Sequence, residues 1–136
     1  MSILFNNSFD KLPDNFYSKI EPEKTKEYKK ILINNSLCKD LGLDFNYLNS
    51  EEGLQILSGN HTPENAAPLA MVYAGHQFGN WVPQLGDGRA VLLGELLDKK
   101  KQRFDFQLKG SGKTPYSRGG DGKAWLGPVI REYIIS

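Results

Sequence analysis

Residues Arg103 to Lys109 place Phe104, Phe106 and Leu108 in alternation with Asp105, Gln107 and Lys109. A period of two sends successive side chains to opposite faces, so this stretch reads as a half-buried strand. A strand needs neighbours, and the preceding residues supply them. Arg89 to Leu97 is a second apolar run, joined to the first by the polar turn Asp98-Lys-Lys-Lys-Gln102. Phe78 to Gln84 is aromatic and β-branched, with Pro83 confining it to an edge or a bulge, and Gly86-Asp87-Gly88 follows as a turn. Consecutive strands with short connections predict an antiparallel meander.

Helical signals flank this region. Glu21 to Asp44 is Lys-rich and then apolar at Ile31, Leu32, Leu37, Leu41 and Leu43, which predicts short amphipathic helices with Gly42 as a stop. Asn49 and Glu52 resemble a helix-start box leading into Leu54, Ile56 and Leu57. Thr62-Pro63-Glu64 reads as the start of another helix over Ala66 to Ala74. Trp125, Leu126, Val129, Ile130, Tyr133 and Ile134 recur at helical spacing, with Pro128 in the first turn. Residues 1–20, with Phe5, Phe9, Phe16 and Tyr17, form an arm that packs against something. The fold class expected is α+β.

Composition narrows the function classes. The 136 residues fit one domain with a core of its own. A formal net charge of +1 gives no reason to expect nucleic acid or an anionic membrane as partner. The single cysteine, Cys38, has no partner for a disulfide within the chain. No run approaches a membrane span and the N-terminus lacks the marks of a signal peptide, so a cytoplasmic location is expected. Glu132-Tyr-Ile-Ile-Ser136 ends without a capping glycine, which reads as a fragment or a truncated gene product.

Most of the glycines and both tryptophans fall between Gly75 and Trp125. Glycine lets backbone N–H groups approach an anion, although single turns also use it. Lys109, at the end of the alternating strand, can grip a phosphate as a point charge or stand on an open sheet face. Glu132 on the last helix can orient such a lysine or stand as a plain surface glutamate. Gly112-Lys113-Thr114 matches the tail of a phosphate-binding P-loop. Gln107 occupies the leading glycine position, however, and Pro115 blocks the helix that must follow. His61 and His76 lack partners at metal-ligand spacing.

Several strings together carry a resemblance. Tyr73-Ala-Gly-His-Gln-Phe-Gly79, Pro83-Gln-Leu-Gly-Asp-Gly-Arg-Ala90, Leu108-Lys-Gly110, Thr114-Pro-Tyr-Ser-Arg118 and Asp121-Gly122 resemble the selenoprotein O (YdiU) family in order and spacing. The likeness is strong over residues 68–136 and general over the first 60. It implies a protein-kinase-like fold and transfer of AMP from ATP to protein hydroxyls, with the nucleotide in reversed orientation. By the same resemblance Gly86, Gly88, Arg89, Lys109, Asp121 and Gly122 contact the nucleotide, and Glu132 orients Lys109. It divides the chain into a helical arm, residues 1–65, and a nucleotide-binding region like a kinase N-lobe, residues 66–136.

Two departures stand out: Lys123 where the family usually has Arg, and Val91 in place of the third glycine of a kinase loop. The family's catalytic base and its Asn and Asp magnesium ligands lie in a later lobe, so no catalytic residue is expected here and the Mg²⁺ ligands are expected beyond Ser136. The full protein would partner ATP and protein substrates. Alternatives left open are a kinase-like module that holds a nucleotide or partner without chemistry, and a truncated gene product.

Overall fold

A computed structural model of the chain describes residues 2–135. In chain order it contains β1 (Tyr17–Lys19), α1 (Asn35–Leu41), α2 (Phe45–Leu48), α3 (Glu51–Leu57), β2 (Leu69–Gln77), β3 (Asn80–Gly86), β4 (Ala90–Leu97), β5 (Arg103–Lys109) and α4 (Leu126–Ile135). Two short 3₁₀ turns, Phe9–Lys11 and Asp14–Phe16, precede β1. The fold is α+β with an antiparallel sheet, as the sequence leads one to expect.

The strand β4 reads Ala-Val-Leu-Leu-Gly-Glu-Leu-Leu, apolar on both faces, and a strand of that kind has to be covered on both sides. Val91, Leu93 and Leu96 pack with Leu108 of β5 against Ile3, Cys38, Leu48 and Ile56, so the arm and α1–α3 roof one face. Leu92 packs with Leu69 and Tyr17, edged by Phe9 and Met71, on the other. Each fully buried leucine or isoleucine contributes about 1.5–3 kcal/mol. The roof helices start where short polar side chains cap them. Asn34 accepts from the Leu37 amide, Asp44 from those of Asn46 and Tyr47, and Ser50 from that of Gly53. The third cap is Ser50, one residue beyond the expected Asn49. Gly42 ends α1 in the left-handed region, as its stop signal implies.

The sheet runs β1-β2-β4-β5, with β3 paired to β2. β4 and β5 form the expected hairpin through the 98–102 turn, from Ala90↔Lys109 to Leu97↔Arg103. Two expectations fail together. The stretch Ala66 to Ala74 is not a helix: residues 69–77 are strand β2, which pairs with β1 and then with β3. As a consequence β3 is the partner of β2 rather than of β4, so the chain is not a simple three-strand meander. Pro68 disfavours helical backbone at Ala67 before it, and Leu69 to Tyr73 is a short apolar run, too short for period alone to separate strand from helix. The Thr62-Pro63-Glu64 signal closes only one turn, with the Ala66 amide donating to the Pro63 carbonyl at 2.9 Å.

The first half of β2 lies between β1 and β4, and its second half pairs with β3. Their register shifts between Tyr73 and Gly75, alongside Pro83, the edge or bulge position that proline requires. Phe78 and Gly79, at φ 54° and 79°, make the tight turn between them, so β3 begins two residues later than the sequence implies.

Candidate nucleotide-binding site

Where β3 runs into β4, the turn Gly86–Arg89 faces the loop that follows β5. Gly86 sits against the ring of Tyr116, with room for no side chain. Asp87 is buried; its amide donates to the Met71 carbonyl at 2.9 Å, and its carboxylate accepts from the Met71 amide and the Gln107 side chain at 3.1 and 3.2 Å. Burial raises the Asp87 carboxyl above the ordinary aspartate range, against the bond from Met71. The carboxylate therefore serves the turn from within.

The loop after β5 is fastened to this turn and to the arm. The Thr114 hydroxyl donates to the Asp87 carbonyl, the Ser117 hydroxyl to the Gly88 carbonyl and the Gly110 amide to the Arg89 carbonyl, each at 2.6 Å. Glu23 accepts from the Lys113 amide at 3.1 Å and from the Lys123 ammonium at 2.9 Å. Those two bonds hold the Glu23 carboxyl below its ordinary range. Gly112-Lys113-Thr114 leads into turns, and no helix follows it until Leu126, so it is not a P-loop.

Turn, loop and β5 enclose a cavity of about 680 Å³, within the range of small-molecule sites. All six residues nominated for nucleotide contact (Gly86, Gly88, Arg89, Lys109, Asp121 and Gly122) lie on its wall. Lys109 projects from the polar face of β5. Its ammonium donates to both carboxylate oxygens of Glu132 on α4, each at 2.6 Å. This bond, with Arg89 and Arg131 nearby, lowers the Glu132 carboxyl from its ordinary range. Asp121 accepts from the Lys123 amide at 2.9 Å.

Residues that sequence reasoning assigned no role also line the cavity. Arg118, at φ 49°, donates to Gln77 at 2.6 Å and so bridges the loop to β2. Tyr73, Tyr116 and Trp125 give the wall aromatic surface. Arg89, Lys109, Arg118 and Lys123 outnumber the accessible carboxylates, which suits an anionic ligand carrying a flat ring. Among the described residues no three His, Cys, Asp or Glu side chains gather as a metal site. No helix among them is long and apolar enough to cross a membrane.

A family model described as "Protein adenylyltransferase SelO" matches residues 1–136. The chain is 57% identical over 132 residues to a protein of Rhodopseudomonas palustris (strain BisB18) named "Protein nucleotidyltransferase YdiU". Proteins of the same name are 57% identical in Bradyrhizobium sp. (strain BTAi1 / ATCC BAA-1182) and 55% identical in Methylorubrum populi. These matches cover 97% of this chain but only 26–27% of each relative. The likeness thus includes the arm and α1–α3, further than the motif strings alone reach.

Proposed function

The chain belongs to the protein adenylyltransferase SelO family, and from that premise we propose that it is the nucleotide-gripping part of an ATP-dependent protein adenylyltransferase. One observation carries the reading. Lys109 stands on the wall of a cavity whose other walls are the glycine turn 86–89 and Asp121-Gly122, and Glu132 grips its ammonium with both oxygens. A strand lysine oriented by a helix glutamate is how kinase-like sites hold nucleotide phosphates. The arm and sheet then correspond to a kinase N-lobe with its own helical roof.

In this reading Lys109 and Arg89 neutralise the phosphates, and the glycine turn lets the backbone come close to them. The substrate is ATP with magnesium, and the acceptor is a Ser, Thr or Tyr hydroxyl of another protein. The hydroxyl oxygen bonds to the α-phosphorus, the bond to the β-phosphate oxygen breaks, and pyrophosphate leaves. The proton goes to a base in the part of the family's length that this chain does not span. These 136 residues alone therefore bind nucleotide and transfer nothing.

The test combines amide NMR with a transfer assay. Titration with Mg·ATP is expected to shift the resonances of Gly86, Gly88, Lys109 and Gly122, while α-phosphate-labelled ATP leaves no label on added protein. Shifts confined to α1–α3, or label transferred by the isolated chain, would overturn the proposal.

A further inference from the structure

The turn that faces the cavity is held by its carbonyls. Asp87, Gly88 and Arg89 are consecutive, and each carbonyl oxygen accepts a 2.6 Å hydrogen bond from the loop after β5. Two of the three donors are side-chain hydroxyls. Thr114 is 8% exposed, and its bond to Asp87 is fully buried. Ser117 is half-buried and also accepts from the Thr114 amide at 2.8 Å, so the two hydroxyl residues brace each other.

A peptide unit carries its negative end on the oxygen. A carbonyl turned toward a phosphate would repel it, whereas one whose oxygen is tied to a hydroxyl or amide donor leaves the cavity to the cations and amides. Glycine at 86 and 88 gives the turn its freedom to approach a ligand, and that same freedom must be removed for the turn to be preorganised. Thr114 does this without lining the cavity, whereas Ser117 lies on its wall.

We propose that Thr114 and Ser117 are positioning residues, which lock the carbonyls of Asp87 and Gly88 out of the cavity and so hold the 86–89 turn in its phosphate-accepting form. The inference rests on the nucleotide-binding reading above. It predicts that affinity follows the hydroxyl group and not the shape of the side chain.

The experiment uses the 136-residue chain and Mg·ATP in a calorimetric titration. Thr114→Val keeps the shape and removes the donor; Thr114→Ser keeps the donor and removes the methyl. The expected result is about a tenfold weaker Kd for Thr114→Val and a change within about twofold for Thr114→Ser, from the loss of one hydrogen bond. Ser117→Ala is expected to weaken binding by a similar factor. If Thr114→Val fails to fold, this second site tests the idea through the amide resonances of Gly88 and Arg89 in the ligand-free chain: they shift if the hydroxyl holds the turn, and stay in place if Ser117 only contacts ligand from the cavity wall. Equal affinity in unsubstituted, Thr114→Val and Ser117→Ala chains would refute the positioning role while leaving the nucleotide site intact. Equal weakening by Thr114→Val and Thr114→Ser would reduce Thr114 to a packing residue. No binding by the unsubstituted chain removes the nucleotide site and this inference with it.

Discussion

Replacing Gly122 with alanine is expected to destabilise the chain far more than replacing Gly119, although both glycines lie in the left-handed region, at φ 70° and 83°. The conformational cost of a side chain there is common to both, about 1–2 kcal/mol. Their surroundings differ. A Cβ at Gly119 meets nothing within 4 Å. At buried Gly122 it would fall on the Gly112 carbonyl and the Lys113 amide, which are backbone and cannot rotate aside. The Gly112 amide also donates to the Gly122 carbonyl at 3.3 Å, so the two chain segments cannot separate without losing that bond. Overpacking of this kind adds about 1–3 kcal/mol. Gly119→Ala should thus cost about 1–2 kcal/mol and Gly122→Ala about 2–5 kcal/mol. With a urea slope of about 2 kcal/mol per molar, the two midpoints should lie about 1 M apart. Urea unfolding followed by circular dichroism reads this directly. Equal midpoint shifts would show that the loop yields at Gly122 and that the close approach is not what demands glycine there.

Two buried carboxylates should respond oppositely to pH and unequally to substitution. Burial alone would raise the Glu95 carboxyl, but the amides of Ser8 and Phe9, the Ser8 hydroxyl and Arg103 together hold it below the ordinary 4.5. Its stabilising contribution is therefore full above that value and lost as pH falls through the lower folded value. Asp87 is raised by burial, so its contribution is present below the ordinary 3.8 and lost as pH rises through the higher folded value. Glu95→Gln should cost about 2–3 kcal/mol at pH 7, and Asp87→Asn no more than about 1 kcal/mol. Thermal melts of both variants at pH 7 and pH 4 check this; equal losses at pH 7 would contradict it.

Local pattern makes β5, β4 and α4 readable in the sequence. Alternation at residues 103–109 and helical spacing at 125–135 each lie within one element, where a period is a property of the sequence itself. The segment 66–77 was not readable in that way. Its strand character depends on β1, β3 and β4 as partners, and a capping signature at Thr62-Pro63-Glu64 pointed to the competing element. The site divides similarly. Lys109 and Glu132 stand out by their places on a strand and a helix, while Gly86, Gly88 and Arg89 are nominated by the family resemblance, since a glycine turn alone is common. Thr114 and Ser117 fall in a string that carries the resemblance, but their roles and that of Glu23 are not readable: their partners lie 27, 29 and 90 or more positions away, and only the folded loop brings them together.

Whether Lys109 holds a nucleotide can be measured apart from stability because its ion pair with Glu132 is exposed, with side chains 39% and 53% accessible. Such pairs add little to folding, so Lys109→Ala should melt close to the unsubstituted chain. The deciding measurement is the Kd for Mg·ATP of that variant, determined by calorimetry on a chain whose melt is unchanged. Loss of a charge-assisted bond to phosphate predicts weakening of about tenfold to a hundredfold. An unchanged Kd would contradict the account, and would return Lys109 to the open face of a strand.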